Sequence, residues 1–213
     1  MIHMIIYKKR IVLLEFAILI ILPLVLLYYF PMLLILRTAA MFVGIIYIYF
    51  MIRLYHLNRN ILGVNNIKTI ISSMKHILPW LILSTVFIGL LYYQNPDFLI
   101  IPGVKQNSLA FKLPFSLLLY WLISAPLQEF IFRSYYINRL EQVTKNKLFI
   151  ILFSSFVFAL VHLPFGSWVL TVGSFFLGIL LAGHFLKYRD IATLIISHSW
   201  IGSIVVILNT THF

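Results

Sequence analysis

Apolar runs of membrane-crossing length recur along the chain, separated by short polar stretches: about 11–36, 38–52, 77–93, 113–132, 148–165, 168–186 and 190–208. Each is a nearly continuous string of Leu, Ile, Val and Phe, and about 20 such residues coil into a helix that crosses a hydrocarbon core of roughly 30 Å. A membrane β-barrel would instead alternate in polarity over strands of roughly ten residues. The pattern therefore predicts an all-α, polytopic transmembrane helical bundle of about seven spans. Pro23 and Pro31 predict a kink or an end in the first of them.

Composition agrees and narrows the classes. The chain is 62% hydrophobic and 10% charged, with a mean hydropathy of +1.04, which leaves too little polar surface to cover a soluble globule. The net charge of +11 does not point to nucleic acid, because the basic residues sit in short clusters between spans, as topology requires, and form no basic face. With Lys8, Lys9 and Arg10 on the cytoplasmic side, so are Arg53, Arg59, Lys68, Lys75, Arg133, Arg139, Lys145, Lys147, Lys187 and Arg189, which is 13 of 16 basic residues; Arg37, Lys105 and Lys112 lie outside. That bias predicts an integral membrane protein with a cytoplasmic amino terminus and an external carboxyl terminus. The basic patch and apolar run at the amino terminus are not followed by a small-residue cleavage site and read as a retained span. The chain has no cysteine, so disulfides and thiolate metal sites do not arise.

Two connections are longer than the rest. Residues 53–76 mix basic and apolar positions, and the stretch 67–78 reads either as a helix lying along the inner leaflet or as part of a solvated loop. Residues 94–112 carry turn chemistry at Asn95-Pro96 and Pro102-Gly103 and read as an external loop. With no internal repeat or linker, residues 1–213 are expected to form a single membrane domain.

Of five acidic residues, four have simple explanations. Glu15 is near the inner end of the first span, Asp97 in the external loop, Glu141 in a basic inner loop, and Asp190 at a helix start that suits a carboxylate. Glu129 lies within the fourth span, and Arg133 is one helical turn further on the same face. An ionisable group at that depth faces the bundle interior or a wet cavity and marks a candidate site; alone, the pair also reads as a structural tie between helices. His162 in the fifth span and His198 in the seventh each suit an interhelical hydrogen bond. Together with Glu129 they place one carboxylate and two imidazoles on three helices, a set able to activate water or hold a metal. For Glu129 to meet them, its helix has to begin nearer residue 117 and run on to about residue 139, with Arg133 surrounded by protein or water.

Three motifs carry a resemblance. The chain reads Gln128-Glu129-Phe130-Ile131-Phe132-Arg133, then Phe158-Ala159-Leu160-Val161-His162, then His198-Ser199-Trp200-Ile201-Gly202. In order, spacing and placement on successive helices this resembles the CAAX protease and bacteriocin-processing intramembrane proteases, the CPBP or Abi family, whose motifs are Glu-Glu-x-x-x-Arg, Phe-x-x-x-His and His-x-x-x-Asn or Asp. The likeness covers residues 113–208, the family-like catalytic core. It implies an endopeptidase that hydrolyses a peptide bond of a membrane-associated peptide or protein with water activated by Glu129 and His162, His198 donating to the oxyanion and Arg133 positioning Glu129. No His-Glu-x-x-His zinc motif is present; whether a divalent metal such as zinc takes part stays open, and its ligands would be Glu129, His162 and His198.

The chain departs from that pattern twice. Gln128 stands where the family has its first glutamate, and its neutral amide can orient water without taking a proton. Gly202 stands where the third motif has Asn or Asp. An alternative reading is therefore a proteolytically inactive member acting as a bacteriocin-immunity or regulatory membrane protein. A transporter, the third class, would show paired Gly- or Pro-broken helices that the chain lacks. The expected partners are membrane lipid and a peptide or membrane-protein substrate.

Overall fold

The computed structural model describes residues 62–101 and 113–211, together with parts of 10–53. Five helices in it are long and apolar enough to cross a membrane: α1 (Ile67–Gln94), α2 (Leu113–Glu141), α3 (Lys147–Phe165), α4 (Trp168–Tyr188) and α5 (Ile191–Thr211). They are the last five of the seven expected spans. Most of the first, 11–36, lies outside the described residues, and of the second, 38–52, residues 42–47, 49 and 50 are described and helical. The chain is an integral membrane protein of all-α class.

Two boundaries differ from expectation. The stretch 67–78 is neither an interfacial helix nor a loop: it is the first part of α1, a continuous helix of 28 residues, about 42 Å at 1.5 Å per residue. Asn66 starts it by accepting the Thr69 N–H at 3.0 Å, one of the donors that a helix start leaves without a partner. Helix α2 continues past residue 132 to Glu141, as a buried Glu129 requires, but starts at Leu113 and not near 117.

The ends of the other helices follow local chemistry. Asn146 caps α3 through the Phe149 N–H at 3.1 Å, and Ser167 caps α4 through the Leu170 N–H at 3.3 Å. Arg189, with φ 51°, takes the left-handed conformation that ends α4. Asp190 accepts the Ala192 N–H at 3.1 Å to open α5. The segment before α1 docks on this turn, where Gly63 accepts the Ile191 N–H at 2.9 Å. Connections this short reverse the chain between α2 and α3, α3 and α4, and α4 and α5.

The core is shared among all five helices. Ile77 and Leu81 of α1, Phe132, Ile137 and Leu140 of α2, Ile150, Val157 and Phe158 of α3, Leu181 and Phe185 of α4, and Leu194 and Ile201 of α5 are buried against one another. Helices α3 and α4 make the closest pair because Gly178 has no side chain. A Cβ there would lie 2.9 Å from both Cα and Cβ of Ser155, the close approach that small residues permit between membrane helices. The outward faces carry Trp80, Ile82, Phe87, Phe156, Trp168 and Phe176, all exposed, as lipid-facing positions are.

Two buried ties were not expected from the sequence. Arg139 donates from Nε and Nη2 to Glu15 at 3.0 and 2.8 Å, and both residues are at most 3% exposed. Glu15, simple on paper, thus fastens the first span to α2, with Tyr47 donating to it at 3.3 Å. A cavity of about 190 Å³ beside this tie is lined by Ile11, Leu14, Glu15, Ile18 and Tyr47. Ser73 of α1 and His184 of α4 share a buried hydrogen bond of 2.7 Å, in keeping with a structural role for His184.

Candidate active site

The site is built on an irregular helix. Within α2, π-helical turns over Tyr120–Ser124 and Phe130–Tyr135 flank a short regular stretch, Ala125–Glu129. Pro126 supplies a reason for the first. It has no N–H, and its ring would collide with the carbonyl four residues back in a regular helix; widening the turn removes the clash, and the Ala125 N–H reaches five residues back to Tyr120 O.

Of the five residues expected to matter, three are brought into direct contact. His198 Nδ1 donates to Glu129 Oε1 at 2.7 Å across α5 and α2. Arg133 Nη1 stands 3.2 Å from the same oxygen. All three are at most 3% exposed, so the charges are held by protein and shielded from lipid, as an ionisable group at membrane depth must be. The guanidinium also lies over Phe158, 4.0 Å from the ring centroid, a cation–π contact.

His162 joins through that same ring. Phe158 is edge-on to His162, with centroids 4.8 Å apart, and to His198, with centroids 5.4 Å apart. His162 Nδ1 donates to the Phe158 carbonyl at 2.8 Å. A carbonyl only accepts, so the proton of a neutral His162 is on Nδ1 and its Nε2 presents a lone pair. The same holds for His198, whose Nδ1–H faces a carboxylate. Gln128, half-buried, donates from Nε2 to Ser124 Oγ at 3.0 Å on its own helix.

The donor set does not fit a divalent metal. Among the described residues no three His, Cys, Asp or Glu side chains gather as a metal-holding group. Glu129 Oε1 already meets an imidazole N–H and a guanidinium, and that fixed positive charge opposes a second cation on the same oxygen. No step below runs through a metal.

Among the described residues around the site, Glu129, Arg133 and His198 are buried, while Tyr120, Ser124, Gln128 and His162 are half-buried and form its accessible edge. Phe132 and Tyr136 are both 5% exposed and pack on Phe158 and on Phe16 and Phe153; they are core.

Tyr120 is the neighbour that sequence reasoning missed. Its ring meets His198 edge-on at 5.9 Å. Nine residues separate it from Glu129, which in a regular helix is half a revolution away; the π turn between them takes up about one residue and brings it to the same side. The available signal was Pro126 six residues on, a mark of irregularity that does not say which way the helix adjusts.

Residues 110–204 match the family model described as type II CAAX prenyl endopeptidase Rce1-like. This segment is Rce1-like. It contains all three motifs, Tyr120 and Gly202, and the match places it in the CAAX protease family, as the motifs do. No curated protein and no solved structure matches the chain. At family level the Rce1-like segment supports a membrane endopeptidase, and the contact of Glu129 with His198 lies inside it.

Proposed function

We propose that the chain is an integral-membrane endopeptidase acting by general base catalysis on a membrane-associated peptide or protein. The observation that carries this is the 2.7 Å hydrogen bond from His198 Nδ1 to Glu129 Oε1, with Arg133 3.2 Å from the same oxygen. A buried carboxylate fixed by an arginine holds the imidazole in one tautomer, leaves Nε2 as proton acceptor, and stabilises the imidazolium that forms.

The geometry favours a change in the roles that the resemblance implied. Glu129 Oε1 accepts from His198 and is paired with the charge of Arg133, so Glu129 acts as the orienting group and His198 as the base. His162, whose Nδ1–H is held by a neutral carbonyl, holds the attacking water through Nε2. Arg133 keeps Glu129 in place.

The regions around this core fit the same reading. With Arg133 and Arg139 set aside as buried in protein, eleven basic residues still fall on one side and three on the other, which supports a cytoplasmic amino terminus; the resemblance to bacteriocin-processing proteases favours a bacterial cell membrane. Residues 113–208 are the catalytic core of one membrane domain, and a membrane-held substrate enters from the side of Tyr120, Gln128 and His162.

A second reading has one observation in its favour. Gln128, bonded to Ser124 within its helix, has no proton-accepting group, and an inactive immunity or regulatory protein would keep the helices without the chemistry. Purified chain in proteoliposomes, assayed for cleavage of a fluorogenic membrane peptide, decides between them. Turnover that disappears in His198→Ala supports the endopeptidase; turnover unchanged in His198→Ala, or absent from the wild type, removes it.

A further inference from the structure

At Gly202 a side chain is excluded by another residue's functional group. A Cβ built there would lie 2.0 Å from the Tyr120 hydroxyl oxygen, 2.5 Å from Cζ and 2.6 Å from Cε1. The phenol of α2 therefore occupies the space that a residue 202 side chain on α5 would fill. Position 202 is one helical turn beyond His198, so whatever occupies that space shares a face with the His198 imidazole. The ring's edge-on contact with His198 at 5.9 Å agrees.

Three features hold the phenol there. Tyr120 opens the first π turn of α2, a departure from regular helix that recurs at functional sites. The next residue, Trp121, donates from Nε1 to Ser203 Oγ at 2.7 Å, so adjacent residues of α2 are pinned to adjacent residues of α5. Tyr120 is also half-buried, on the same accessible edge as Ser124, Gln128 and His162.

Chemistry assigns this hydroxyl a task. Both imidazoles hold their neutral-state proton on Nδ1, toward Glu129 and toward the Phe158 carbonyl, so neither Nε2 donates to a developing oxyanion while it accepts from water. A tetrahedral intermediate needs such a donor, and the phenol of Tyr120, edge-on to His198, carries one.

Resting on the endopeptidase reading above, we propose that Tyr120 is a catalytic residue whose hydroxyl donates to the substrate oxyanion from the place of the absent residue 202 side chain. The water oxygen adds to the scissile carbonyl carbon, its proton passes to His198 Nε2, and the carbonyl π pair moves onto oxygen, where it accepts the Tyr120 O–H hydrogen bond without taking the proton. Collapse reforms the carbonyl, breaks the C–N bond and returns the His198 proton to the leaving nitrogen.

The test is steady-state kinetics of Tyr120→Phe in proteoliposomes with a fluorogenic membrane peptide, beside wild type and His198→Ala. A donor used only in the transition state predicts kcat lower by about 100- to 1,000-fold with KM within about twofold and an unchanged melting temperature. A kcat within about threefold of wild type overturns the role of Tyr120 and leaves the endopeptidase standing; a wild type without turnover overturns both. If Tyr120→Phe also melts lower, Tyr120→Ala with Gly202→Asn decides: the amide then has room, and kcat at least about tenfold above Tyr120→Ala alone sustains the proposal, while no gain overturns it.

Discussion

The carboxylate of Glu129 on α2 and the imidazole of His198 on α5 meet at 2.7 Å with neither side chain open to lipid. Sixty-nine residues apart in the chain, they are joined because their helices cross at the depth where an unpaired charge is least tolerated. The contact makes Glu129 a holder of His198, and the predictions below separate that task from simple charge neutralisation.

Glu129→Gln should lower turnover by about 10⁴-fold, the scale seen when a catalytic histidine loses its orienting carboxylate. It also leaves Arg133 buried without a counter-charge, which costs about 3–5 kcal/mol. Adding Arg133→Met to Glu129→Gln is expected to recover most of the stability, read as melting temperature in detergent, and none of the activity. Recovery of both would reduce the pair to a structural tie.

Gln128→Glu distinguishes an enzyme from an inactive relative. If His198 is the base, a carboxylate at position 128 changes kcat only modestly. A rise of about 100-fold or more, the scale of a newly supplied general base, would mean that Gln128 is what silences the chain. Initial rates on the membrane peptide give the answer.

Glu15→Gln should destabilise by about 3–5 kcal/mol, because Arg139 is then buried without its carboxylate. Activity per folded molecule should be unchanged, since the tie is separate from Glu129 and His198. Glu15→Leu with Arg139→Met is expected to regain most of the loss, as replacing a buried ion pair with apolar residues often does. Thermal melts together with active-site titration check both halves.

Gly178→Ala should destabilise by about 1–3 kcal/mol, the range for overpacking, because the new methyl meets Ser155 backbone at 2.9 Å. Ser155→Gly is expected to relieve only part of it, since Cα of Ser155 is as close as Cβ. Comparing the melting temperatures of the single and double variants tests this.

How much was legible depended on whether a feature repeats along the chain or arises across it. The spans of α3, α4 and α5 were readable to within a few residues because bilayer thickness demands long apolar runs of a set length. The start of α1 was misplaced because Lys68 and Lys75 look like loop charges, yet a helix can carry charge where it emerges from the membrane. Arg139 was counted among the cytoplasmic charges and is instead bonded to Glu15; composition does not say which buried carboxylate a cation will find.

The sequence by itself determined that the chain crosses the membrane as helices, and that Glu129, Arg133, His162 and His198 stand out, since bilayer hydrophobicity makes each polar residue within a span conspicuous. Only the tertiary structure decided that Glu129 meets His198, that Phe158 links the imidazoles, and that Tyr120 fills the space at Gly202. Those outcomes depend on the phase and crossing of helices, and an irregular turn near Pro126 resets the phase by an amount that counting residues along a regular helix does not contain.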